Sequence, residues 1–306
     1  MTKAANKTGT ISQYCANLVL RGLINSLLLL PIRLRLTVMA RFCRHILGPL
    51  SGYKKRAKDN LFYIYGETKS AQDMEMIANE VLQHAGRTII ENYDTKELRK
   101  RLEAAPITGE GLELVETAKR AGTPILFVTA HFGNFEALRA ALVGHGFKIG
   151  GLYRPMSNPY FNAHYAQNMH DLSGPVFEQG RRGTAGLYRH IKNGGMGVLL
   201  FDIFDWKGEV LEFLGKPAPT ALSAAEIALK TNAMLVPFFA RRLSNGLDFE
   251  IDVQAPVPHS SAVEMMTEVT VRLEAKIKET PEQWFWIHRR WKPEHYFNTT
   301  DVKTGP

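Results

Sequence analysis

PILFVTAHFGNFE, residues 124–136, decides how this chain is read. Ile125 to Val128 is apolar without a break, the pattern of a strand buried on both faces of a parallel sheet. The run ends at His131, Gly133 supplies a turn, and Phe135, Ala137, Leu138, Ala140, Ala141 and Leu142 begin a helical pattern. That order puts His131 and Glu136 at the C-terminal end of a strand, where open α/β sheets carry their chemistry.

Working outward, the alternation continues. Residues 147–153 and 197–201 read as strands ending on Tyr153-Arg154-Pro155 and Asp202, with a shorter one at 176–177. Helical patterns cover 70–92, 112–121, 158–172, 183–192, 222–230 and 262–279. Residues 209–214 read as an extra strand followed by a GKPAPT loop, and strands at 234–240 and 248–253 flank an Asn245-Gly246 turn. The expected fold is α/β: a mixed, mainly parallel central sheet flanked by helices, with an N-terminal membrane-associating helical segment. Residues 1–60 form that segment and 61–306 the main domain, with a junction at 60–66.

The charge supports this division. Of the 306 residues, the first 60 hold eleven Lys or Arg and a single acid, Asp59, whereas the rest hold 27 basic and 29 acidic side chains. A basic, leucine-rich N-terminus suits an anionic membrane surface or a nucleic acid. The longest uncharged stretch around Leu27, Gly22 to Ile32, falls well short of the roughly 20 residues a spanning helix needs, and Pro31 interrupts it. A helix lying in the membrane interface is the better fit, with Arg33, Arg35, Arg41 and Arg44 near headgroups. The basic cluster at 54–58 suits a lipid contact or an ordinary solvated face equally. The two cysteines, Cys15 and Cys43, imply neither a disulfide framework nor a zinc site.

A lone histidine after a strand is more often structural than catalytic. Here His131, Arg154 and Asp202 all follow apolar strands, and Glu136 stands five residues beyond His131. Such a carboxylate on one imidazole nitrogen fixes the tautomer and leaves the other as a general base. No Gly-x-Ser-x-Gly elbow, metal-ligand spacing, P-loop or GxGxxG follows a strand, so covalent serine, metal and nucleotide chemistry are disfavoured. RNA-binding and zinc-finger signatures are absent too, so no nucleic-acid partner is expected. The C-terminal PEQWFWIHRRWK, residues 281–292, suits a membrane interface, a stacked base or a packed core, and composition does not choose among them.

HFGNFE is the HxxxxE form of the signature of glycerolipid and lysophospholipid acyltransferases. Together with Tyr153-Arg154-Pro155, Asn158-Pro159, the GKPAPT segment and PEQWFWIHRRWK, it resembles the lipid A late acyltransferases, the lauroyl and myristoyl transferases of Gram-negative bacteria. Two departures stand out: Asp202-Ile203 where the family usually has Asp-Gln, and Phe213-Leu214-Gly215 where it usually has Phe-Phe-Gly. The resemblance implies a membrane-associated acyltransferase of lipopolysaccharide biosynthesis at the cytoplasmic face of the bacterial inner membrane. It implies direct transfer from acyl carrier protein or coenzyme A, as co-substrate, to a glycolipid hydroxyl, with no cofactor, metal or acyl-enzyme. Another lysolipid or aminolipid acceptor, or an inactive lipid-binding relative, are the alternatives. On this resemblance His131 is the base and Glu136 its orienting carboxylate. Arg154 and backbone N–H groups near Gly133 and Asn134 are expected to take anionic groups, and Asp202 to hold Arg154 or a sugar hydroxyl.

Overall fold

The computed structural model of the protein describes residues 9–103 and 105–292; residues 1–8 and 293–306 of the two expected regions lie outside these. Helices α1 (Ile11–Leu28) and α2 (Ile32–Phe42) are separated at Pro31, which has no N–H to continue the ladder. A π-helical turn (Cys43–Leu47) and α3 (Gly48–Leu50) lead to α4 (Tyr53–Tyr65) and α5 (Ala71–Asn92). The expected junction at 60–66 mostly belongs to α4, because Ala57 and Leu61 carry its apolar stripe into the core. Ser70 caps α5 by accepting from the Asp73 amide. Next come α6 (Thr95–Leu102), β1 (Ile107–Thr108), α7 (Leu112–Ala121), β2 (Ile125–Thr129), α8 (Ala137–Gly144) and β3 (Ile149–Tyr153). Then follow α9 (Pro159–Leu172), β4 (Val176–Glu178), α10 (Arg181–Lys192), β5 (Met196–Leu200), β6 (Glu209–Phe213) and β7 (Lys216–Thr220). Last come α11 (Ser223–Thr231), β8 (Met234–Arg242), β9 (Phe249–Val253) and α12 (Ala262–Glu279), followed by a short 3-10 turn (Pro281–Gln283) and the tryptophan segment.

The central sheet has the order β1-β9-β8-β2-β5-β3-β4. All neighbours run parallel except β8 and β9, which form the hairpin around Asn245-Gly246. The mainly parallel sheet expected from the alternation is therefore present. Two layers of helices sandwich it. Leu126, Val128 and Leu199 face α4, α5, α10, α11 and α12, while Ile125, Phe127 and Val198 face α6, α7, α8 and α9. Burial of β2 on both faces explains its unbroken apolar run. The GKPAPT segment, expected as a loop, is instead mostly strand β7, antiparallel to β6. Its prolines fit because this two-stranded unit is all edge.

Among the described residues no helix is long and apolar enough to cross a membrane. Of the arginines assigned to headgroups, Arg35 is buried. It pairs with Asp94 at 2.5 Å and donates to the Leu28 carbonyl, so it serves the α1–α2 corner. Within the 54–58 cluster, Lys54 and Lys58 pair with Glu75 and Lys55 with Asp59.

One polar clamp ties α4 to the C-terminal tryptophan segment. Asn60 donates from Nδ2 to the carbonyls of Trp286 and His288, each at 2.7 Å. Asn60→Ala strands both acceptors, and denaturant unfolding should show a loss of about 1–3 kcal/mol.

Candidate active site

Strand register builds the site. Thr129 at the end of β2 stands opposite Leu200 at the end of β5, so His131 and Asp202, two residues further along each chain, meet above the sheet. The His131 backbone N–H donates to Asp202 Oδ2 at 2.9 Å, and His131 Nδ1 lies 2.9 Å from Oδ1. The Trp284 indole N–H donates to the same Oδ2 at 2.9 Å. Burial alone would raise the Asp202 carboxyl. The charge of His131 and its hydrogen bonds outweigh burial and hold the group well below the usual carboxylate range. The His131 side chain keeps 25% of its surface exposed, enough to meet a substrate.

His131 packs among three aromatic rings. His288 meets it edge-on at 4.5 Å between centroids, Phe135 at 5.3 Å and Phe285 at 6.0 Å. Burial, with His131 and the nearby arginines, pushes the His288 imidazole down to about 3. His131 also lines a cavity of about 370 Å³ whose wall is largely apolar, including Val81, Ala85, Ile89, Phe135 and Trp284.

The other expected site residues fall differently. No hydrogen bond or ion pair joins Glu136 to His131. Instead Glu136 Oε2 accepts from Arg139 at 2.6 Å, one helical turn on. Arg139 is buried and also donates to the carbonyls of Ile149, Met169 and Ser173. The carboxylate five residues after the histidine thus anchors α8 to β3 and α9, and Asp202 orients the imidazole in its place. Asp202 does not hold Arg154 or face a substrate: it is 1% exposed and both its oxygens are engaged internally. Arg154 is exposed at the end of β3, two strands from β2 and about 10 Å away along the sheet edge.

Gly133 does not offer a free N–H, because it donates to the Gln283 carbonyl at 2.9 Å. Its φ of +54° and a Cβ position 1.8 Å from the Ala240 carbonyl admit only glycine. Asn134 is fully buried. It donates to Glu91 at 3.0 Å and accepts from the Glu136 amide at 3.1 Å. Glu91, at the end of α5, is itself held by Arg242 at 2.6 and 2.8 Å and by Arg101 at 2.9 Å. Burial opposes its ionisation, and the two arginines more than compensate, so its carboxyl is lowered. Sequence reasoning missed Glu91, Arg242, Trp284 and His288. The quoted PEQWFWIHRRWK contained the last two, but its spacing does not say which side chain turns inward.

A family model described as "Bacterial lipid A biosynthesis acyltransferase" matches residues 2–293. The chain belongs to that family. It is 25% identical over 248 residues to a lipid A biosynthesis acyltransferase of Haemophilus influenzae, covering 76% of this chain and 74% of that one. It is 27% identical over 189 residues, 60% of each chain, to a lipid A biosynthesis lauroyltransferase of Escherichia coli. Membership supports acyl transfer in lipid A biosynthesis as the chemistry of this acyltransferase.

Two consequences for stability follow. Glu136→Ala strands the buried Arg139 charge and should cost about 3–5 kcal/mol in denaturant unfolding, well beyond what a solvent-facing catalytic carboxylate would show. The pH dependence involves His288 and His84, whose imidazole is also pushed down to about 3 by burial and by Arg242 and Arg87. Both stay neutral in the fold but protonate near pH 6.5 when unfolded. Stability is full above that pH and falls as the pH drops from there toward 3, by on the order of 1 kcal/mol per histidine at pH 5.5. Unfolding at pH 7.5 and 5.5 measures this difference, and His84→Phe should remove roughly half of it.

Proposed function

We propose that the chain moves a fatty acyl group from a thioester carrier, acyl carrier protein or coenzyme A, to a hydroxyl of a lipid A precursor. The observation that carries this reading is the His131–Asp202 pair opening onto an apolar cavity. With Nδ1 held by Asp202, Nε2 is the nitrogen left for the acceptor. It takes the hydroxyl proton as the oxygen attacks the thioester carbonyl. The new C–O bond forms, the tetrahedral intermediate collapses with loss of the C–S bond, and the leaving thiolate takes the proton back from Nε2. Asp202 stabilises the imidazolium in between, as the third group of a triad does. General-base assistance is worth ~10²–10⁴-fold, and positioning of the acyl chain in the cavity adds to it. Exposed Arg154 serves an anionic group of the acceptor or carrier at a distance from the reacting atoms.

The acceptor is a membrane lipid on this reading, and the N-terminal helices support docking at the cytoplasmic face of the inner membrane. Asn17 is the only buried residue of α1, which exposes Ile11, Leu18, Val19 and Leu23. The apolar surface continues through Val38, Phe42 and Leu50, with Arg21, Arg33 and Arg41 exposed beside it. An exposed apolar face flanked by cations fits an anionic bilayer surface. The same dyad would serve another lysolipid or aminolipid acceptor.

Transfer assays with labelled acyl carrier and a panel of lipid A precursors and lysolipids test the reading. His131→Ala should abolish transfer, and Asp202→Asn should lower kcat ~10³–10⁴-fold with the fold intact. Near-normal kcat in Asp202→Asn would remove Asp202 from the mechanism. Ala85→Phe, which fills part of the cavity, should shift preference toward shorter acyl chains at unchanged protein stability.

A further inference from the structure

The chain has four tryptophans. Trp284, Trp286 and Trp291 are buried against Phe213 and one another. Trp206 is 76% exposed. It sits four residues after Asp202, in the turn between β5 and β6, at the edge of the sheet where the His131–Asp202 pair lies. An indole left this bare matters when its surroundings hold it out, and these do. Asp205 closes the turn: its Oδ1 accepts from the Lys207 amide at 3.0 Å and its carbonyl from Gly208 at 3.0 Å, while its own amide donates to Pro219 in β7 at 3.4 Å. Ile203 is exposed beside it at 39%.

The charges around the turn have a matching arrangement. Lys207 Nζ lies 4.7 Å from the Trp206 ring centroid, and Lys292 Nζ lies 4.1 Å from that of Phe204. Arg289 is exposed on the same C-terminal segment. The Asp205 carboxylate, the nearest acid in sequence, is turned to the Lys207 amide, and Glu209 begins the next strand. An exposed indole with a lysine folded back over it, beside a half-buried ring under a second lysine, is the arrangement that membrane interfaces favour. The indole and isoleucine enter the headgroup boundary and the ammonium groups reach the phosphates.

Position joins this turn to the N-terminal helices. Arg56 and Asn60 of α4 donate to the carbonyls of Ile287, Trp286 and His288, and the same segment continues to Lys292 over Phe204. The turn is therefore linked through one short segment to α4, which follows the helices of the exposed apolar surface and itself exposes Phe62.

We propose that residues 203–207 are a second membrane contact, in which Trp206 and Ile203 enter the headgroup boundary of an anionic bilayer beside Lys207 and Lys292, setting the His131–Asp202 pair at the lipid surface. The proposal rests on the reading that the acceptor is a membrane lipid. It is tested with the full chain and vesicles of phosphatidylglycerol and phosphatidylethanolamine, because Trp206 is its own probe against three buried tryptophans. Vesicles should shift the emission to the blue, and lipids brominated near the headgroup should quench it. Neither effect should survive in Trp206→Phe. Trp206→Asp should weaken vesicle partition roughly tenfold and lower transfer to a vesicle-borne acceptor in parallel, with transfer to a detergent-dispersed acceptor unchanged.

Vesicle sedimentation with unaltered Trp206 emission and wild-type partition of Trp206→Asp would overturn the proposal. So would an emission shift produced by acidic carrier protein in the absence of lipid, which would give the turn to a protein partner. No sedimentation with vesicles would remove the membrane reading itself, and the proposal with it. A vesicle-dependent shift in a protein that transfers no acyl group would uphold the membrane contact and sink the acyltransferase reading alone.

Discussion

The buried Asp202 carboxylate is the interaction on which the site depends. It accepts from the His131 backbone, faces Nδ1 of the same residue and accepts from the Trp284 indole. Those contacts come from three parts of the chain, separated by 71 and 82 positions. A buried carboxylate is tolerable only when its lone pairs are filled and a compensating charge is near. The requirement therefore acts on the fold as a whole: β2 must register with β5, and the segment after α12 must return across the sheet edge. Turning the His131 ring away would leave Asp202 Oδ1 without its partner, so the imidazole is held against the lining of the apolar cavity. That is preorganisation by desolvation and hydrogen bonding together.

A second buried charge supports the first from beneath. Glu91 lies between Arg242 of β8 and Arg101 of α6 and takes the Asn134 amide. Asn134 in turn caps the Glu136 amide, and Glu136 meets Arg139. Within HFGNFE the roles separate by direction. His131 looks outward, Gly133 permits the close pass over Ala240, and Asn134 and Glu136 look inward to brace the turn. The spacing of this motif expresses the geometry of a braced strand-to-helix turn as much as any chemistry. The carboxylate that meets the His131 imidazole follows the neighbouring strand.

This division explains what was legible in the sequence. The strand at 125–129, its helix and the mainly parallel sheet follow from local periodicity, which the sequence states directly. His131 at a strand end was legible for the same reason. Its partner was not, because Glu136 and Asp202 are both carboxylates near the right edge, and strand order decides between them. Placing β5 beside β2, with β3 beyond it, is a long-range choice that no local pattern encodes. The strand at 216–220 was hidden by its two prolines, which edge pairing tolerates. Arg35 was hidden by its neighbours: a leucine-rich, arginine-bearing stretch looks like one continuous face until the break at Pro31 folds α2 back and carries that one arginine to Asp94.

The same break accounts for the character of the N-terminal region. A helix of the eighteen residues of α1 that buries only Asn17 gains little from the protein interior, and its mean hydropathy and Arg21 leave it unable to cross a bilayer as described. The bend at Pro31 lays α2 against α5, whose Gly86 lets the two backbones approach, so part of the segment is fixed to the catalytic unit while its outer surface stays apolar. Helix α5 is also the wall of the apolar cavity through Val81, Ala85 and Ile89 and the carrier of Glu91. One helix therefore connects the exposed apolar surface, the cavity and the brace beneath HFGNFE. The path from α2 through α5 to the turn that carries His131 is made of packed side chains and the buried Glu91–Asn134 contact.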